Sequence, residues 1–332
     1  MAKRDEPKEQ PEPEQKEKEE PQETPESGEE TEEEEEEAPE EKYRRAGKIA
    51  SQVREEILPQ IKVGAKVFDL CEAAESRIIE LGGGIGFPTN ISINEVAAHY
   101  TSPEEDATLI QEGDIVKLDI GVHIDGYIAD TAATVNFNPE LEKLVEASRE
   151  ALDKALLLIR PKTNSKDLGK IIEDTIKGFG YRPIRDLSGH QLDEYLLHGS
   201  KNLPNIAVPH GSLLEEGEAY ALETFATTGT GSAHETGQHY IFSLNPTRIP
   251  LRNQGARDIV RLVTREFKTL PFSRRYVAKH IPKLSLALGM RELTTKKAVR
   301  QYSVLADIKG SYVSQAEHTF LVTKDGIEIT TK

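Results

Sequence analysis

A phrase that occurs twice constrains this chain more than anything else in it. Residues 112–119 read Glu-Gly-Asp, three further residues, Leu118, Asp119; residues 216–223 read Glu-Gly-Glu, three further residues, Leu222, Glu223. Each copy follows a helix-like stretch opening Asp-Leu (Asp69-Leu70 and Asp167-Leu168), then a glycine-bearing turn, then a proline (Pro88 and Pro183). Ordered flanks of this kind mark a duplicated half-domain. If each half ends in an inward-pointing carboxylate, acids from two halves meet at one site, and such a site suits hard divalent cations. Glu-Gly-acid is also a common turn before a strand, and the phrase alone leaves that plainer role open.

Charge divides the chain. Residues 1–41 hold 20 acids against 5 Lys/Arg, a net of -15, out of -16 for all 332 residues. The other 291 residues are therefore almost neutral. A proline-rich acidic segment without an apolar run cannot offset its ordering entropy, so residues 1–41 are expected to be a disordered tail. Residues 42–332 are long enough for one large core. Cys71 stands alone, which excludes an internal disulfide framework. No apolar run is long enough to span a bilayer and no signal-peptide pattern opens the chain, so a cytoplasmic location is expected.

Periodicity places helices over Tyr43–Ile61, Asp69–Leu81, 140–159 and 166–178. Strand-like pieces cover Ile184–Leu187, Ala219–Thr227 and Ser311–Val322, with a turn at Asp325-Gly326 and a return through Ile327–Ile329. The segment of about 251–301 is helical in pattern and basic, with 13 Lys/Arg against 3 acids. It lies between strand regions and is read as an inserted helical subdomain.

Residues 114–136 read as a hairpin turning at Asp125-Gly126. With a two-residue turn, Asp130 lies opposite Gly121 and Asp119 opposite Ala132. Asp119 and Asp130 are then diagonal neighbours on one face, about 7–8 Å apart at Cα. Two such carboxylates repel unless a cation lies between them. Their reach suits two metals about 3.5–4 Å apart. A solvated acidic face is the alternative, although the surrounding Gly, Ala and Thr are unlike one. His123 shares the face by parity.

Together these residues resemble a known family. Lys117-Leu-Asp119 through Asp130-Thr131, preceded by Ala97-Ala-His99-Tyr-Thr101, resembles the methionine aminopeptidases. The likeness continues through Leu187-Ser-Gly-His190, Leu197-His198-Gly199, Ala221-Leu-Glu223-Thr-Phe225 and Gln315-Ala-Glu317-His318. The basic insertion resembles that of type 2 enzymes. What the resemblance implies is an α/β pita-bread fold: duplicated α/β halves around a dinuclear metal site, with the helical subdomain inserted. It implies a metallo-aminopeptidase that removes the initiator methionine when the second residue is small. Asp119, Asp130, His190, Glu223 and Glu317 would hold two divalent ions (Fe, Mn, Co or Zn), which activate a bridging water. By the same resemblance Asp130 and Glu317 bridge both ions, Glu223 also moves protons, His99 contacts the scissile peptide and His198 the substrate carbonyl. Phe87, Leu197 and Tyr302 would line the methionine pocket, with His239 near it.

The implied partners are nascent polypeptides with N-terminal Met, and a monomer is expected. The insertion is further expected to face ribosomal RNA, with Arg274, Arg275 and Lys279 among its phosphate contacts and the acidic tail as its competitor. Other readings are a proline dipeptidase of the same fold, a ligand-depleted RNA-binding relative, and a translation factor.

Overall fold

The structure, a computed structural model, describes residues 37–246 and 249–332. The acidic tail falls almost wholly outside the described residues. Helix α1 (Pro39–Ile57) begins inside the range assigned to that tail and four residues before the expected start. Pro39 at the first helical position and Glu40 and Glu41 in the first turn suit a helix N-terminus. The acidic composition around them concealed that signal. At the other end Pro59 confines the continuation to one 3-10 turn, Leu58–Gln60.

The first half continues through α2 (Val67–Glu80), β1 (Gly84–Ile93), β2 (Val96–Ala98), β3 (Ile115–Ile124) and β4 (Tyr127–Asn136). The second half begins with α3 (Glu142–Leu158), α4 (Ser165–Gly178), β5 (Arg182–Pro183), β6 (Ser188–Leu192), β7 (Asn202–Pro204), β8 (Ala219–Thr227) and β9 (His234–Leu244). Next come α5 (Gln254–Glu266), β10 (Phe272–Ser273), α6 (Arg274–Ala278) and α7 (Lys283–Thr295). The chain closes with β11 (Val299–Ala306), β12 (Val313–Val322) and β13 (Ile327–Ile329). The strand expected over Ile184–Leu187 falls between β5 and β6, and β1 and β2 were not foreseen.

The main sheet runs β1-β3-β4-β12-β8-β6-β7. Its middle is symmetric: hairpin β3-β4 from one half meets β12-β8 from the other. Apolar faces of α1 and α2 pack on the first half and those of α3 and α4 on the second. The repeated phrase has one geometry in both copies. Gly113 and Gly217 take φ of 86° and 84°, the left-handed region that favours glycine. Asp114 Oδ2 accepts the Gln111 N–H at 2.7 Å, and Glu218 Oε2 accepts the Glu215 N–H at 2.7 Å. The Phe137 N–H donates to the Asp114 carbonyl and the Val322 N–H to the Glu218 carbonyl. The turn role and the duplication therefore hold together.

A second sheet, β10-β9-β11-β2, carries the segment 251–301. Leu262, Val263, Phe267, Leu286 and Met290 of α5, α7 and their connection join the first core, while Leu284 and Leu288 stay exposed. Three of its cations differ from expectation. Arg275 is only 2 % exposed. It donates to Glu72 Oε1 at 2.7 Å, to Glu75, to Thr101 Oγ1 at 3.1 Å and to the Ser102 carbonyl at 2.6 Å. Lys279 pairs with Glu72 at 2.6 Å and Arg274 with Glu104 at 3.2 Å. Acids of α2 and of the segment after β2 hold these groups, so they tie the insertion to the body of the protein and do not form a phosphate-facing cluster.

Candidate metal centre

Register explains why four carboxylates and one imidazole meet. Asn90 of β1 lies opposite Asp119, Asp119 opposite Ala132, Ala132 opposite Glu317, and Glu317 opposite Glu223. That is one row across five strands. One step along, Gly121 lies opposite Asp130, Thr319 opposite Ala221, and Ala221 opposite His190. Thr319 joins the two parts of this row: its hydroxyl accepts the Asp130 N–H at 2.7 Å and donates to the Asp130 carbonyl at 2.8 Å. Residues two apart on a strand share a face. Hence both rows present Asp119, Asp130, His190, Glu223 and Glu317 to one side, with small residues between them.

All five line one cavity, together with Phe87, His99, Leu197, His198 and Tyr302. Donor atoms of Asp130, His190 and Glu317 lie within 4.8 Å of one another. His190 Nε2 is 3.7 Å from Asp130 Oδ2. Asp119 Oδ1, Asp130 Oδ1 and Glu317 Oε1 are buried without a hydrogen-bond partner. Burial pushes the Asp119 carboxyl up to about 7. Burial, then the neighbouring carboxylates, hold Asp130, Glu223 and Glu317 well above the usual carboxylate range. Burial lowers His190 to about 4, keeping it a neutral donor. Crowded carboxylates with bare oxygens beside a neutral imidazole fit a divalent cation, which would offset their repulsion.

The other histidines come from loops. His99 follows β2 with φ of 65°, uncommon for a side chain with a Cβ. Its Nδ1 lies 3.1 Å from the Ser303 carbonyl. A carbonyl only accepts, so Nδ1 carries the proton and Nε2 keeps its lone pair. The His198 ring packs 4.5 Å from His190, and burial holds its pKa well below the ordinary value. Tyr302 stands 5.7 Å from His99, edge-on. Phe87 covers Gly121, where an added Cβ would meet its ring at 2.3 Å.

His239 is not brought to the cavity. Tyr302 pairs with Ile241 but Ser303 pairs with His239, so β9 holds one extra residue, Tyr240. That β-bulge shifts the alternation of side chains, and Tyr240 packs against Tyr100 instead. His123 shares parity with Asp119 but sits at the far end of β3. There it accepts the Gly126 N–H and packs against Tyr195.

Two buried amides received no role from the sequence. Gln315 Nε2 donates to Glu317 Oε2 at 3.2 Å and reaches Asp119 Oδ2 at 3.5 Å. Its place two residues before Glu317 was a usable signal. Asn90 gave none, because β1 itself was not foreseen.

Residues 41–324 match the model of metallopeptidase family M24. A methionine aminopeptidase of Pyrococcus horikoshii is 45% identical over 293 residues, covering 88% of this chain and 99% of its own. Among solved structures, a thermophilic Arx1 aligns with a TM-score of 0.77 at 22% identity, covering 87% of this chain and 90% of that one. The methionine aminopeptidase of Thermotoga maritima aligns at 0.63 and 22%, covering 89% and 98%. Likenesses at that identity speak for the pita-bread fold alone. The duplicated halves, the cavity of acids and the match over most of its length together place this chain in metallopeptidase family M24.

Proposed function

We propose that this chain is a methionine aminopeptidase of type 2, removing N-terminal Met from polypeptides whose second residue is small. The observation that carries the reading is the double row of Asp119, Glu317, Glu223, Asp130 and His190 on one sheet face. The type rests on the helical insertion that holds α5 to α7.

In this reading Asp119, Asp130, His190, Glu223 and Glu317 would hold two divalent ions. Bound ions of this kind supply Lewis acidity, which polarises a carbonyl and makes water a competent nucleophile near neutral pH. The protein's own groups do the rest. Glu223 takes a proton from the attacking water as its oxygen adds to the scissile carbonyl. His198 donates to that carbonyl oxygen as negative charge develops. His99, its Nδ1 committed to Ser303, turns the Nε2 lone pair toward the peptide N–H. As the C–N bond breaks, the proton passes to the leaving amine. Phe87, Leu197 and Tyr302 wall the space for a flexible thioether.

Activity is tested by titrating metal-free protein with Fe, Mn, Co and Zn while it cleaves Met-Ala-Ser peptides. Faster release from Xaa-Pro peptides with a first residue other than Met would replace this reading by a proline dipeptidase.

The insertion also supports a contact with ribosomal RNA, through α5 and not through Arg274, Arg275 and Lys279. Arg257, Arg261 and Arg265 stand exposed one turn apart along α5, about 6 Å between neighbours; Arg261 and Arg265 pair only with Asp258 and Glu266 of their own helix, not with the body of the protein. Replacing all three by Gln is expected to weaken ribosome binding and flatten its salt dependence.

A further inference from the structure

One cation at the cavity's edge has no task in the mechanism above. Arg300 lies on β11 two residues before Tyr302, and so shares its face. Tyr302 pairs with Ile241 and Arg300 with Ser243. Tyr302 and Ile241 both line the cavity. The Tyr302 hydroxyl lies 3.3 Å from Ser243 Oγ, which ties the two pairs together. The Arg300 guanidinium lies over the Tyr302 ring, 4.9 Å from its centre. That ring is 5.7 Å from His99 and 6.3 Å from His198. Tyr302 is half-buried while Arg300 is exposed. The strand therefore runs from the catalytic cavity to solvent, with the guanidinium at its outer end.

Two further facts point outward. Among the described residues no carboxylate pairs with Arg300, and its contact is the Tyr302 ring. Its partner across the strands on β9, Ser243, brings no charge. The guanidinium is thus an open cation on the solvent side of a ring that lines the cavity.

We propose that Arg300 is a specificity residue that reads the third residue of the substrate, favouring Asp or Glu there over Lys or Arg. The proposal rests on the aminopeptidase reading. An extended chain advances roughly 3.3 Å per residue. With the first carbonyl at His198, two residues of chain span about 7 Å, comparable to the 6.3 Å from His198 to the Tyr302 ring, so a chain running along β11 would bring its third residue within reach of the guanidinium. Exposure limits the effect to that of a solvent-screened pair, so the preference is modest and falls with salt.

The test uses metal-loaded full-length protein and peptides Met-Ala-X-Ser-Gly with X as Glu, Gln or Lys. In 20 mM salt the expected order of kcat/KM is Glu, Gln, Lys, with about a two- to fivefold step each way. Arg300→Gln is expected to collapse the Glu/Lys ratio toward one, and Arg300→Glu to invert it. Ratios within one enzyme do not depend on its folded fraction. An arginine that merely braced Tyr302 would slow all three peptides by one factor, leaving the ratio unchanged in Arg300→Gln. That result, or equal rates on all three peptides in the unaltered protein, overturns the proposal. Failure of the unaltered enzyme to cleave even the Gln peptide would count against the aminopeptidase reading instead, and so is distinguishable.

Discussion

At the scale of single residues, the centre holds groups that oppose folding until a cation joins them. Asp130 is buried beside Asp119, Glu317 and His190. Asp130→Asn removes one charge and keeps the shape. Turnover is expected to vanish, while the melting temperature of the metal-free chain holds or rises because a buried repulsion is relieved. An unfolded variant would refute this. His123→Ala is expected to retain most activity, since that ring lies away from the cavity; comparable losses in the two variants would sink the ligand assignment. Gln315 holds two of the carboxylates from behind. Gln315→Ala is expected to weaken metal affinity by about 10- to 100-fold, read by titration of the metal itself. Asp119 and Asp130 could be placed from the hairpin and Glu223 from the repeated phrase, whereas His190 and Glu317 came only from the family resemblance. Asn90 could not be placed, because its meaning comes from a strand partner 29 residues away.

At the scale of elements, the duplicated turn offers an internal control. An added Cβ at Gly113 or Gly217 would meet nothing within 4 Å, so only backbone conformation resists it. Gly113→Ala and Gly217→Ala are each expected to cost about 1 kcal/mol, and nearly the same amount, in reversible unfolding. Clearly unequal losses would mean that the two turns are equivalent in sequence but not in energy. The β3-β4 hairpin was readable to the residue, since Asp125 and Gly126 both take positive φ, as a two-residue turn demands. By contrast β9 defeated reading by alternation. Its bulge at Tyr240 inserts one residue and turns His239 off the cavity face, and no period-two pattern reports such an insertion.

At the scale of the whole molecule, charge and metal are linked to folding. The Asp119 carboxyl stands at about 7 in the fold against an ordinary 3.8. The folded metal-free chain therefore binds more protons than the unfolded chain between those values. Its stability from this group is present at low pH and is lost as pH rises toward and through 7. A divalent cation reverses the balance, because it binds the ionised form. The gap in melting temperature between metal-loaded and metal-free protein is expected to widen from pH 5 to pH 8; a gap that stays constant or narrows would contradict the burial of these carboxylates. The insertion is held to this same body by Arg275. Arg275→Met would leave the buried Glu75 carboxyl without its counter-ion, keeping only the Thr89 N–H, at an expected cost of about 3–5 kcal/mol, read as a lowered denaturation midpoint.

The sequence by itself determined the duplication, the hairpin register and the diagonal placing of Asp119 and Asp130. These follow from short-range rules: alternation along a strand, the glycine that a turn requires, and motifs of a few residues. Only the tertiary structure decided how β12 and β8 lie against β3 and β4, and so how five side chains from distant segments align in two adjacent rows. It alone decided that Arg275 is a buried tie and Arg300 an open cation, though both belong to one basic stretch. Sequence counts charges, but whether a charge meets a carboxylate, a ring or water depends on which chain segments fold against it.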